Sequence, residues 1–261
     1  MKIIVCIKQV PNTTEIKIDP VTNTLVREGV ESILNPFDAY AIEEAVRLKE
    51  QFGGTVTAIS MGPNQVESTL REAVSLGADD IILLSDRKFA GADTWATSYT
   101  LAAAINKIGD FDLIITGQQA IDGDTAQVGP GLAAHLKLPQ TCFVRKIEKI
   151  EGNIMVVQRL MEDGSDRVEM TLPALITVVK EINTPRLPSL RGKMRAKTVE
   201  LKVWNCDDLG LDEKLVGLNG SPTQVMHIFT PKHDKRTEKF TGDPDEAVDK
   251  IVSVLNELTK R

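Results

Sequence analysis

The stretch Gly117 to Pro130, GQQAIDGDTAQVGP, gathers three glycines, two aspartates and a threonine directly behind a short apolar run. Glycines at 117, 123 and 129 would let backbone approach a ligand and take positive φ. If Thr125 to Gly129 opens a helix, its free N–H groups and dipole would favour a phosphate, worth roughly 0.3 to 2 kcal/mol per charge. Asp124 or Thr125 could equally be simple helix caps. Spacing alone leaves both open, because the stretch contains neither GxGxxG nor GxxxxGK[ST]. Asp122 and Asp124 lack a histidine companion and read more readily as turn chemistry than as metal ligands or an acid–base pair.

The elements that must position this loop follow from periodicity. Apolar runs at 3 to 8, 55 to 60, 80 to 85 and 112 to 117 alternate with amphipathic stretches at 38 to 52, 64 to 76, 92 to 107 and 125 to 137. Such alternation predicts βαβ units and a parallel sheet. Ligands of open parallel sheets sit at the carboxyl ends of strands, near a reversal of strand order. Three strand exits therefore frame one pocket: Cys6 to Lys8, Ser60 to Pro63, and the loop from Gly117. Asn35-Pro36-Phe37-Asp38 precedes the first long helix, with Asp38 a candidate N-cap and Asn35 offering amide donor and acceptor groups at the same edge. Thr94, in Ala92-Asp93-Thr94, starts the third helix and could face the pocket or belong to a cap.

Beyond residue 138 the period becomes two, and TCFVRKIEKI, EGNIMVVQRL and RVEMTLPALITVVK predict antiparallel strands extending the sheet. The predicted fold is therefore α/β: an open, mostly parallel nucleotide-binding sheet with an antiparallel extension. Residues 1 to 181 form its nucleotide-binding domain, interrupted by a hairpin insertion at about 13 to 30. Residues 182 to 261 read as a C-terminal arm, punctuated by prolines and closed by a helix at 244 to 258, lying across a partner subunit or its own domain.

Composition excludes several classes. A net charge of -6 and a pI near 5.3 argue against nucleic-acid binding. No apolar run approaches the roughly 20 residues of a membrane span, and MKIIVCIKQV lacks a cleavage site, so a cytoplasmic protein without membrane insertion is expected. Cys6, Cys142 and Cys206 have no ligand spacing, so no metal site is expected. No histidine has a nucleophile at recognisable spacing, so no catalytic residue is assigned.

NPFD-x-x-AIEEAVRLKE, the SMGP turn, QAIDGDTAQVGP and PRLPSLRGKMRAK, in this order, resemble the beta subunit of electron-transferring flavoproteins over essentially the whole chain. The resemblance implies a heterodimer with an alpha subunit that carries FAD. DGDTAQVGP, RGKMRAK and GSPTQVMHIFTPK look more like the electron-bifurcating type. In that type the beta nucleotide is a second FAD taking hydride from NADH; electrons divide between ferredoxin or flavodoxin and, through the alpha FAD, an acyl-CoA dehydrogenase. In the non-bifurcating type the beta site holds a structural AMP. By resemblance, Cys6, Asn35, Pro36, Phe37, Asp38 and Met61 line the adenosine. Gly117, Gln118, Ala120, Asp122, Gly123, Asp124, Thr125, Ala126, Gln127, Val128, Gly129 and Pro130 wrap the ribose and phosphates. Leu190 matches the leucine that anchors the partner dehydrogenase, although Arg191 replaces the family's usual following proline. From another class, a stand-alone adenine-nucleotide-sensing module would need no alpha subunit, which the arm argues against.

Overall fold

The computed structural model describes residues 1–12, 31–226, 239 and 242–259. It contains two compact units, Met1–His227 and Ile228–Arg261. The hairpin expected at 13 to 30 lies outside the described residues. The segments flanking it, β2 (Gln9–Pro11) and β3 (Ser32–Leu34), pair antiparallel with Val10 opposite Ile33.

The first unit is built on nine strands, β1 (Lys2–Cys6), β4 (Thr55–Met61), β5 (Asp80–Leu84), β6 (Leu113–Gly117), β7 (Gln140–Glu151), β8 (Ile154–Leu160), β9 (Ser165–Thr171), β10 (Ala174–Val178) and β11 (Leu201–Trp204), in the order β11-β5-β4-β1-β6-β10-β7-β8-β9. From β11 to β7 every neighbouring pair is parallel, and β8 and β9 continue antiparallel. This is the α/β architecture the sequence predicts, with one change. ALITV does not join the antiparallel set; it runs as β10 between β6 and β7, buried at every position. A continuous apolar run without alternation is what a strand covered on both faces requires.

The helices are α1 (Pro36–Phe52), α2 (Glu67–Leu76), α3 (Thr94–Ile108), α4 (Val128–Leu136) and α5 (Leu190–Thr198). Ile3, Val5, Ile81, Leu83, Leu113 and Ile115 point to the face covered by α1 and α2; Ile4, Ile82, Leu84 and Ile114 point to the face that holds α3 and α4. Full burial of such a side chain contributes roughly 1.5 to 3 kcal/mol, so the central strands dominate the stability of the unit.

Part of the segment expected as an arm packs onto this body. β11 pairs with β5, Leu201 opposite Ile81 and Trp204 opposite Leu84, while Cys206 and Val216 are fully buried. The second unit contains α6 (Pro244–Leu258), capped by the Asp243 carboxylate, which accepts from the Asp245 N–H. Val248, Ile251, Val252, Val254 and Leu255 are exposed on it. Among the described residues no helix is long and apolar enough to cross a membrane.

Candidate functional site at the strand reversal

β1 lies between β4 and β6, so the chain builds outward on one side of β1 and then returns to the other. The carboxyl ends of β1 and β6 therefore flank the reversal point, where open sheets place their ligands. The loop after β6 leaves the sheet there, its Gln118 N–H donating to the Val178 carbonyl at 2.9 Å.

Two side chains tie the loop to the β1 side. Asn35, 1% exposed, donates through Nδ2 to the Gln119 carbonyl at 2.8 Å and accepts from the Ile121 N–H at 3.2 Å. Lys8 reaches Asp122 through Nζ at 2.7 and 2.8 Å. Within the loop, Gly123 and Asp124 donate to the Ala120 carbonyl, and Gln119 donates through Nε2 to the Asp124 carboxylate. Thr94, at the head of α3, donates to Gln127 Oε1 at 3.3 Å. Asn35 to Asp38, Thr94 and the loop are thus linked, while Cys6 and Met61 end the strands β1 and β4 beside them.

Asp38 does not cap α1. Asn35 occupies the N-cap position and Pro36 the first turn; Asp38 sits inside that turn, 5% exposed. Its carboxylate accepts the N–H of Lys8, at 2.7 Å, and that of Gly117, joining the ends of the two strands that flank the reversal. Burial outweighs these bonds and pushes its pKa up to about 7. Burial, with Asp38 nearby, also drives the Cys6 thiol far above its ordinary range, so Cys6 is a small apolar surface and not a nucleophile.

The glycines act differently from the sequence expectation. None of Gly117, Gly123 and Gly129 has positive φ; Asp124 (φ 55) and Ala126 (φ 53) do instead. For non-glycine residues such backbone costs of order 1 to 3 kcal/mol and concentrates at functional loops. A Cβ on Gly117 would lie 2.4 Å from Asp38 Oδ1 and 2.7 Å from the Phe37 carbonyl carbon; one on Gly129 would lie 2.5 Å from Thr177 Cγ2. Those two glycines permit close packing. A Cβ on Gly123 would meet nothing within 4 Å, leaving that position open to a ligand.

The helix after the loop starts at Val128, later than expected, and neither Asp124 nor Thr125 caps it. Its N-cap, Gln127, makes no side-chain capping bond. Pro130 has no N–H, so the donors at this end are those of Val128 and Gly129. At α3 capping prevails: Asp93 accepts from Trp95 and Ala96 and, through its other oxygen, from Thr223. Ser60 Oγ, at the end of β4, is buried without a partner.

Lys8, which the sequence reading placed at the exit of the first strand without giving it a role, is the residue that ties Asp122 to that exit. Leu190 is placed elsewhere, as the first residue of α5, and is 78% exposed. Among the described residues no cluster of three or more metal-ligating side chains exists. His135 lies between Trp95 and Tyr99, ring centroids 4.6 and 5.7 Å away; His227 and His233 fall outside the described residues. A cavity of about 480 Å³ lined by Pro139, Ile154, Val168 and Met170 shares no residue with the loop.

A parallel sheet covered on both faces, with a clamped, glycine-bearing loop at its reversal point, makes this an α/β domain of the kind that places ligands at that point. The electron transfer flavoprotein domain matches residues 22–209. Over 257 residues, 98% of each chain, the protein is 52% identical to the electron transfer flavoprotein subunit beta of Thermoanaerobacterium thermosaccharolyticum. It is 51% identical over 259 residues, again 98% of each chain, to subunit CarD of the caffeyl-CoA reductase-Etf complex of Acetobacterium woodii. Protein FixA of Azotobacter vinelandii is 49% identical over 245 residues, 91% of this chain and 87% of that one. The chain belongs to the electron transfer flavoprotein family, with beta subunits among its full-length relatives.

Proposed function

We propose that this chain is the beta subunit of a heterodimeric, electron-bifurcating electron transfer flavoprotein, and that its loop Gly117 to Pro130 holds an FAD. The observation that carries the reading is the uncapped start of α4 behind a loop clamped by Asn35 and Lys8 at the strand reversal. An FAD held there supplies acceptance of two electrons from NADH and their release one at a time. The likeness to the CarD subunit, whose complex includes a CoA-ester reductase, supports the bifurcating type over the AMP-holding one.

Each part of the protein then has a definite task. The Val128 and Gly129 N–H groups would hold the diphosphate, where the α4 dipole would add favourable potential. Lys8 fixes the loop through its ion pair with Asp122, and Asn35 fixes the path of the loop at Gln119 and Ile121. Cys6 and Met61 offer apolar surface to the adenosine, and the unpartnered Ser60 hydroxyl is a polar group in need of a partner. Asp38 keeps the floor intact by joining β1 to β6. No side chain of this set acts as acid or base. Pairing with an alpha subunit follows the family, and the exposed Leu190 docks an acyl-CoA dehydrogenase; ferredoxin or flavodoxin takes the other electron.

The test is to count the nucleotides released by denaturing the purified heterodimer. Two FAD per heterodimer is the expected result. One FAD with one AMP would overturn bifurcation and leave the subunit with a structural nucleotide.

A further inference from the structure

The segment from Asn183 to Thr198 is irregular up to Ser189 and then helical, and it displays three large apolar side chains: Leu187 at 88%, Leu190 at 78% and Met194 at 65% exposure. Leu190 and Met194, four residues apart on α5, share one face, and Leu187 stands three residues before the helix. A segment of this kind would ordinarily be mobile, and ordering it on docking would cost roughly 1 to 2 kcal/mol per residue. Here it is tied down before any partner arrives. Arg186 donates from its backbone N–H, Nε and Nη2 to Glu43 at 3.1, 2.7 and 3.1 Å, and from Nη1 and Nη2 to Glu50 at 2.6 and 3.0 Å. Glu43 is buried on α1, with Arg186 covering it. Asn183 adds bonds to the Tyr40 carbonyl and Glu44. On the other side Gly192 presses so closely on α2 that a Cβ would lie 2.2 Å from the Ser75 carbonyl oxygen, and Arg195 bridges to Asp79.

We infer that Glu43, Glu50 and Arg186 are positioning residues for partner docking: α1 holds the guanidinium, and the guanidinium holds Leu187, Leu190 and Met194 as a rigid apolar prong. The inference rests on the docking reading of Leu190 given above, and concerns how the prong is presented. A planar, multidentate guanidinium suits this role, because holding two carboxylates fixes its orientation as well as its place. The expected gain is in affinity for the partner, since a preorganised segment avoids paying its ordering cost on binding.

The experiment uses the purified heterodimer with NADH as reductant, ferredoxin or flavodoxin present, and a purified acyl-CoA dehydrogenase as electron acceptor. The double variant Glu43→Gln, Glu50→Gln keeps the shape of both side chains and removes their charge. It should raise the KM for the dehydrogenase roughly fivefold to tenfold, leave kcat and bound nucleotide unchanged, and speed amide hydrogen exchange in 187 to 194 without altering α2. Arg186→Lys, which cannot bridge both carboxylates in a plane, should act in the same direction and serves if the double variant folds poorly. Leu190→Ala should raise KM with normal exchange. If Leu190→Ala raises KM while the clamp variants change neither KM nor exchange, the clamp inference is overturned and docking survives. If Leu190→Ala leaves KM unchanged, the docking reading falls and takes the clamp with it.

Discussion

Two carboxylates on the first turns of α1, Asp38 and Glu43, are 5% and 7% exposed, and each is satisfied by a different kind of partner. At the head of the helix Asp38 meets the backbone N–H groups of Lys8 and Gly117; on its flank Glu43 meets the guanidinium of Arg186. The first arrangement closes a sheet without a buried counter-ion; beside it Lys8 is paired with Asp122, and the α4 terminus keeps its N–H groups without a side-chain cap. The second uses up charge on both sides to immobilise a protein segment. On the proposed reading one helix serves both a site for an anionic small molecule and a surface for an apolar protein contact, and the two differ chiefly in whether backbone N–H groups or a guanidinium meet the buried carboxylate.

The sharpest way to break this contrast is pH. Asp38 has a folded-state pKa of about 7 against the ordinary 3.8, so between these values the folded protein keeps a proton that the unfolded chain has lost. Its contribution is therefore fully present below about pH 4 and is lost as pH rises to about 7, amounting to roughly 4 kcal/mol at most. Urea denaturation from pH 4 to 8 should show that loss, and Asp38→Asn should flatten the curve relative to the parent. Equal slopes in both proteins would mean that Asp38 is ionised throughout, and the head of α1 would then resemble its flank.

Gly129→Val comes next. The added side chain collides with Thr177 and Thr116, so a stability loss of about 3 kcal/mol is expected with loss of nucleotide from the purified heterodimer. Gly123→Val provides the control: with open space around it, thermal stability should hold while nucleotide affinity falls, because the side chain occupies ligand space. Unchanged affinity in Gly123→Val would remove this stretch of the loop from the binding surface.

Asn35→Ala removes both bonds to the loop and should cost about 2 kcal/mol, read by calorimetry as a weaker nucleotide Kd by tenfold or more. Lys8→Ala is expected to be the mildest. Its ion pair with Asp122 is half exposed and contributes less than about 1 kcal/mol, so the melting temperature should barely move, while the salt dependence of nucleotide association should weaken.

The central parallel strands were legible in the sequence because burial on both faces demands unbroken apolar runs such as IIVC and LIIT. Helix starts were legible where an aspartate caps, as Asp93 does for α3 and Asp243 for α6. β11 was not, since two of its four residues are exposed and its partner strand lies far off in the chain. Nor was α5, whose charged composition and interior Gly192 hide a helix that makes sense only against the Ser75 carbonyl. In the candidate site the loop itself was visible, but the work of Gly117 and Gly129 was not: glycine in a loop suggests approach to a ligand, and only the packed structure brings Phe37 and Thr177 against them. Asp38, placed after Asn-Pro-Phe, looked like a cap for the same reason.

The late strand β11 carries a consequence for synthesis. While the chain emerges from its amino terminus, β5 has β4 on one side and an open row of backbone groups on the other until Leu201 to Trp204 arrive. An incomplete chain therefore offers a ready template for another strand. Truncations that end between α5 and β11 should aggregate where longer ones stay dispersed, which makes the short, half-exposed LKVW segment a guard on the nascent protein.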